Sequence, residues 1–260
     1  MERGLKIAIS GKGGVGKTTL AATLACLFAQ DGQRVLAVDA DADSNLGEAL
    51  GFTAQELAAQ RTIAEDRDLI KNRTGATPGV QGQWFVLNPR VDDIPETYVI
   101  EKDGIRLLRL GHKPRGGSGC DCPENTFLRA LLRHLVVERT DTVIVDMEAG
   151  LEHLGRGTTG SVDALIVVVE PGRRSFQTAE MIVRLARDIG VERVFAVGNK
   201  IRPGDEAAVE EGIPSLPLLG MLPYDPAATQ VDLAGASVRQ LSPTFWEAAR
   251  RVHERLRELV

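Results

Sequence analysis

Short apolar runs alternate with longer segments in which apolar residues recur every three to four positions, the signatures of buried strands and amphipathic helices. Runs at residues 5–10, 34–39, 105–110, 142–147, 164–170, 192–198 and 216–222 predict strands. Helices are predicted over 17–30, striped by Leu20, Leu24, Leu27 and Phe28, over 124–137, striped by Phe127, Leu131, Leu132 and Leu135, and over 174–189. A closing helix at 243–260 carries Phe245, Trp246, Ala249, Val252, Leu256 and Leu259 on one face and arginines elsewhere. Strand and helix in alternation predict an α/β fold, a mostly parallel central β-sheet with helices on both faces. The run at 164–170 is apolar up to Glu170, as a central parallel strand requires.

The pattern weakens between about 52 and 104. A charged, partly helical stretch at 55–71 leads into a loop rich in Gly, Thr and Pro, a short strand at 84–87, and a polar segment to Gly104. This reads as an insertion on a single domain spanning 1–260, its charges a solvated face. The remaining composition is that of an ordinary globular protein, 43% hydrophobic and 26% charged. A net charge of −5 argues against a broad nucleic-acid surface, so no nucleic acid partner is expected. Nothing at the start has the length of a signal or membrane segment, and a cytoplasmic location follows as the expectation. Glu247, Glu254 and Glu258 dilute the basic face of the closing helix, so it is expected to cover the sheet, with no stable membrane association. Three cysteines cannot build a disulfide framework. Cys26, among Ala and Leu in the first helix, reads as a small buried thiol.

Candidate chemistry begins where the first strand ends. Gly11 to Thr19 reads Gly-Lys-Gly-Gly-Val-Gly-Lys-Thr-Thr and satisfies G-x-x-x-x-G-K-[ST], the phosphate loop. Backbone N–H groups of Gly13, Gly14, Val15, Gly16, Lys17, Thr18 and Thr19 converge at a helix N-terminus, where the dipole favours an anion. Lys17 places a cation on the outer phosphates, and the Thr18 hydroxyl is suited to Mg2+. Gly11, Gly13 and Gly16 also spell G-x-G-x-x-G, and Asp39 ends the next strand where a dinucleotide fold needs an acid. That alternative has no use for Lys17 and Thr18, nor for a second acidic strand end at Asp146, which a magnesium–triphosphate site requires.

Lys12 fills a position that the phosphate-loop pattern leaves free. Here the stretch resembles the deviant phosphate-loop ATPases, which include the nitrogenase iron protein and the ATPases of cell division and plasmid partition, and the resemblance implies a P-loop NTPase fold. It further implies that Lys12 reaches across a two-fold dimer to the other subunit's nucleotide, a cation acting in trans. Asp39 and Asp41 then fall in the first switch, Asp41 orienting the attacking water and Asp39 supporting the magnesium shell. Ala42 stands where the family commonly has proline. Asp146 matches the magnesium-side carboxylate, Gly150 the glycine whose N–H meets the γ-phosphate, and Asn199, with Pro223 nearby, the base-reading position, so ATP and ADP are the implied nucleotides.

Cys120-Asp121-Cys122 is the second site, two thiols one residue apart after the loop Gly116-Gly117-Ser118-Gly119. Such a pair reaches one soft ion but leaves two coordination positions open, which a symmetric dimer fills with four thiolates from two chains. Lys113 and Arg115 favour thiolate over thiol, and His112 is a possible further ligand. The alternative is two small buried residues at a helix start, for which the surrounding glycines and Asp121 are poor company.

Six stretches taken together narrow the resemblance: 12–19, Asp-Ser-Asn-Leu-Gly at 43–47, Leu-Asn-Pro-Arg-Val-Asp at 87–92, Gly-Gly-Ser-Gly-Cys-Asp-Cys-Pro-Glu-Asn at 116–125, Asp-Met-Glu-Ala-Gly-Leu-Glu-His-Leu at 146–154 and Leu-Pro-Tyr-Asp at 222–225. They resemble the CooC-type ATPases over nearly the whole chain. That resemblance implies an ATP-hydrolysing homodimer holding Ni2+, or Zn2+ in its place, at the shared Cys pair and assisting nickel insertion into the active-site cluster of carbon monoxide dehydrogenase. A sister group serves acetyl-CoA synthase, and a positioning ATPase of the MinD/ParA kind is the rival from another class.

Overall fold

The computed structural model describes residues 4–41, 44–78, 80, 82–87, 89–91, 94–111, 123–138, 141–148 and 162–260. Its strands are β1 (Lys6–Gly11), β2 (Val35–Ala40), β3 (Ile100–Lys102), β4 (Ile105–Arg109), β5 (Thr142–Met147), β6 (Ala164–Val169), β7 (Val194–Ile201) and β8 (Leu218–Pro223). Its helices are α1 (Lys17–Gln30), α2 (Leu46–Leu50), α3 (Ala54–Ala59), α4 (Arg67–Thr74), α5 (Ile94–Tyr98), α6 (Pro123–Glu138), α7 (Arg173–Asp188), α8 (Glu206–Gly212), α9 (Ala227–Leu233) and α10 (Pro243–Leu259). One sheet runs β3-β4-β2-β5-β1-β6-β7-β8, every pair parallel except the β3–β4 hairpin at one edge. The expected α/β architecture is therefore present, with β1 at the centre between β5 and β6.

Side chains alternate across each strand, so one strand feeds two cores. Ile7, Ile9, Ala37, Ile144, Ile166 and Val197 face a layer made by α1 and α10, filled by Leu20, Leu24, Phe28, Phe245, Val252 and Leu256. Ala8, Val38, Val145, Val167 and Ala196 face the opposite layer, filled by Phe127, Leu131 and Leu135 of α6 and Ile182 and Ala186 of α7. Cys26 lies fully buried in the first layer, and burial pushes its thiol pKa up, as expected of a packing residue. α10 starts with Pro243 at its first turn and with the Ser242 hydroxyl accepting from the Phe245 N–H. Among the described residues no helix is long and apolar enough to cross a membrane.

The segment 52–104 holds α3, α4, α5 and β3. It buries Phe52 and Leu57 in the first layer and Ile63, Ile70, Val91, Ile94 and Tyr98 in the second. Two expectations fail here. Residues 84–87 form no strand: Trp84 is 97% exposed and the run pairs with neither edge of the sheet, β3 or β8. The polar stretch before Gly104 instead contains β3, turned onto β4 by Asp103 (φ 52°) and Gly104 (φ 76°), a two-residue hairpin with both central residues left-handed. The strand expected to stop at Gly198 continues through Asn199 and Lys200 to Ile201, with its register against β8 shifted at that point. Strand runs beyond a sequence-level boundary when its neighbour offers ladder partners, and here Ile201 pairs with Pro223.

Candidate functional site: a phosphate cradle with two buried carboxylates

β1 ends at Gly11, which pairs with Val168, and a Cβ at Gly11 would lie 2.5 Å from the Val168 carbonyl oxygen. Only glycine permits that approach. The chain then turns through Lys12 to Gly16, with Gly14 at φ 74° and Gly16 at φ 100°, and enters α1 directly. No side chain caps α1 and its first turn holds no acid, so its positive end is open to an anion. Val15 is fully buried and pins the turn's apolar side.

Asn199 braces the same turn from β7: its Nδ2 donates to the Val15 carbonyl at 2.9 Å, and a Cβ on Gly16 would come within 2.1 Å of that nitrogen. One hydrogen of the Asn199 amide is thus committed to the phosphate loop, a structural duty beside the base contact that the resemblance implies. Next to it Lys200, at φ 59°, donates from Nζ to the Gly14 carbonyl at 2.6 Å. Pro223 stands at the end of β8, where the Tyr224 N–H donates to the Ile201 carbonyl at 2.8 Å.

The register of β2 against β5 sets Asp39 beside Asp146, so two carboxylates from adjacent strands end at one level, both fully buried. Asp39 accepts from the Ser44 hydroxyl at 2.6 Å, the Leu46 N–H at 3.2 Å and the Asp41 N–H at 3.3 Å. Burial nevertheless pushes its pKa up to about 6. Asp146 accepts from the Thr18 hydroxyl at 2.6 Å through one oxygen, while its other oxygen, Oδ1, is buried with no hydrogen-bond partner among the described residues. Burial raises its pKa to about 7, with the charges of Asp39 and Asp41 adding to the rise and Thr18 and Lys17 opposing it. Lys17, itself buried, holds Nζ 3.9 Å from Asp41 Oδ2.

A paired, half-satisfied set of buried carboxylates beside a threonine hydroxyl is the donor set of a hard, oxygen-preferring cation. These residues fit Mg2+, with Thr18 and Asp146 as its natural protein partners and Asp39 behind them. A cavity of about 670 Å3 opens over the loop, lined by Gly13, Gly14, Gly16, Lys17, Thr18 and Thr19 on one side and by Asp41, Glu48 and α9 on the other. Its size is that of a small-molecule site.

The structure therefore brings together Lys12, Gly13 to Thr19, Asp39, Asp41, Asp146, Asn199 and Pro223 at the C-terminal edge of the sheet. Cys120, Cys122 and Gly150 lie outside the described residues, as do Ala42, His112, Lys113 and Arg115. Among the described residues no group of three or more His, Cys, Asp or Glu is arranged to hold a metal ion. Two participants escape a reading of the sequence. Glu170 accepts from Lys12 Nζ at 2.8 Å, and Lys200 spans from Gly14 to Glu170. The available signal for Glu170 was its place as an acidic end to an apolar strand, like Asp39 and Asp146.

A model of the CobQ/CobB/MinD/ParA nucleotide binding domain matches residues 6–238. The carbon monoxide dehydrogenase accessory protein CooC of Rhodospirillum rubrum is 45% identical over 257 residues, 98% of this chain and 97% of that protein. An uncharacterised ATP-binding protein of Methanocaldococcus jannaschii is 40% identical over 90% of this chain and 91% of that one. Among solved structures, the septum site-determining protein MinD of Pyrococcus horikoshii, complexed with Mg-ADP, has a TM-score of 0.68 at 21% identity, covering 100% of this chain and 97% of that chain. A putative plasmid partition protein of Borrelia burgdorferi bound to AMPPNP has a TM-score of 0.71 at 15% identity, covering 99% and 100%. At such identities these two bear on the fold alone.

Proposed function

The chain belongs to the CobQ/CobB/MinD/ParA nucleotide-binding family and within it to the CooC-type ATPases, and from that premise we propose that it is a homodimer that couples ATP hydrolysis to nickel insertion into carbon monoxide dehydrogenase. The observation that carries the reading is 45% identity to a carbon monoxide dehydrogenase accessory protein across 98% of the chain, laid over a complete phosphate cradle. The roles proposed for the site residues are as follows. Lys17, buried at the mouth of α1, faces the outer phosphates. Asp41, 3.9 Å from Lys17 Nζ, orients the attacking water. Lys12 lies half-exposed on the rim and acts on the nucleotide of the second chain. Thr18 and Asp146 would hold Mg2+, which would supply neutralisation of charge on the outer phosphates. Gly150 completes the γ-phosphate contacts, and Asn199 with Pro223 borders the adenine.

In this reading Cys120 and Cys122 of two chains form one thiolate cage for Ni2+, or Zn2+ in its place. The cage and the nucleotide sites share the dimer seam, so the phosphate state sets how the thiolates meet and when the ion passes to the client. Four thiols that take up a divalent ion as thiolates release their protons, and uptake accordingly weakens as pH falls. A positioning ATPase shares the cradle but gives Cys120 and Cys122 no task.

Nickel titration of the Cys120→Ser, Cys122→Ser double variant tests the assignment. The expected result is at least about a hundredfold loss of nickel affinity with ATP turnover and dimer formation retained. Intact dimers binding nickel as the parent does would remove the Cys pair from the account.

A further inference from the structure

Parallel pairing sets Gly11 of β1 opposite Val168 of β6, so the two chains emerge together from the sheet, one into Lys12 and the other into Glu170. Lys12 Nζ donates to Glu170 Oε1 at 2.8 Å. The Glu170 backbone is fixed in turn: its N–H donates at 3.0 Å to the hydroxyl of Ser175, a buried residue of the first turn of α7. The second carboxylate oxygen lies 3.6 Å from Lys200 Nζ, and that same ammonium is anchored on the Gly14 carbonyl at 2.6 Å. One carboxylate therefore stands between two lysines, one of them tethered to the phosphate loop and the other at the rim.

A lysine ammonium carries one charge on a flexible stem. While it is spent on its own chain's carboxylate, it is not delivered to a phosphate on another chain. We propose that Glu170 is a positioning residue that parks Lys12 within the separate chain and yields it when two nucleotide-loaded chains close, Lys200 keeping the carboxylate neutralised. This rests on the reading in which Lys12 acts in trans. The second lysine is what makes release inexpensive. Without it, departure of Lys12 would strip a partly buried carboxylate of its cations, whereas Lys200 is already within ion-pair distance and held there. Lys200 adopts a left-handed backbone conformation, uncommon for a residue with a side chain, and such strain is retained where it aims a group. Glu170 acts through Lys12, so it alters how readily the dimer forms and leaves turnover in the formed dimer alone.

The test is the protein concentration giving half-maximal dimerisation, followed by light scattering with saturating slowly hydrolysed ATP analogue, alongside ATP turnover across the same concentrations. Glu170→Gln should lower that midpoint about fivefold, the size expected when two half-exposed ion pairs per dimer no longer need breaking, with an unchanged plateau of turnover. Lys200→Met should shift it the other way, because the carboxylate then holds Lys12 alone. Introduced into Lys12→Ala, Glu170→Gln should have no effect on the midpoint. A midpoint that rises or stays put in Glu170→Gln, or a shift that persists without Lys12, overturns the parking role. A Lys12→Ala chain that dimerises and turns over ATP like the parent overturns instead the underlying trans reading.

Discussion

Replacing Asp146 by Asn is expected to slow ATP turnover by a hundredfold or more while making the nucleotide-free chain harder to unfold above neutral pH. The first effect follows from removing a carboxylate aimed at the cation that neutralises the phosphates, a loss of the order seen when one preorganised electrostatic group is deleted. The second follows from the same group's environment. Asp146 is fully buried, has one oxygen without a partner among the described residues, and sits beside Asp39, so burial raises its pKa to about 7 and that of Asp39 to about 6. A carboxyl whose folded-state value lies above its unfolded value binds more protons in the folded chain, so stability is fully present below the unfolded value and is lost as pH rises through the folded one. Between about pH 4 and pH 7 the nucleotide-free chain should thus become steadily less stable. A rise of this size for Asp146 corresponds to about 4 kcal/mol at pH 8, an upper bound because the charge-assisted bond from Thr18 is weakened in the variant. Thermal melts without nucleotide should place Asp146→Asn at least about 4 °C above the parent at pH 8, with the gap narrowing as pH falls and closing only at about pH 4. A variant less stable than the parent at pH 8 would show that Asp146 is not a strained ligand held ready for a cation.

Lys12→Ala is the second large effect. If Lys12 acts on a nucleotide bound to the other chain, as proposed, its loss should reduce turnover by about a thousandfold, as removal of an in-trans cation does. Nucleotide affinity of the separate chain should stay within about threefold, since Lys12 in that state is engaged with Glu170 and not with the loop's anion site. The parent's specific activity should rise with protein concentration and the variant's should not. Equal loss of nucleotide binding and turnover would place Lys12 on its own chain's phosphates.

Most of this site can be read from residue order alone because phosphate loops demand fixed chemistry at fixed spacing. Gly11, Gly16, Lys17 and Thr18 announce themselves, as do Asp39 and Asp146 as acids closing apolar strands. What residue order does not contain is strand order. Nothing along the chain says that β2 and β5 are neighbours in a register that sets Asp39 against Asp146, or that β6 flanks β1 and so delivers Glu170 to Lys12. Asn199 was legible as a strand-end polar residue, but its bond to the Val15 carbonyl depends on two segments 184 residues apart. Short helices such as α8 and α9 span seven residues each, two turns at most, too few for apolar periodicity to declare them. The Trp84 run is the converse case, an apolar run that stays exposed and pairs with neither sheet edge. The Asp103-Gly104 hairpin rests on a dipeptide suited to two left-handed residues, but β3 spans three residues, too few for alternation to declare a strand.

Nickel per chain and assembly mass, measured together by native mass spectrometry with ADP and with a slowly hydrolysed ATP analogue, test the central coupling most directly. The account predicts one nickel ion per two chains in the analogue-bound assembly, with ADP shifting the dimer population and the metal content together. A single chain keeping its full nickel whichever adenine nucleotide is bound would contradict it.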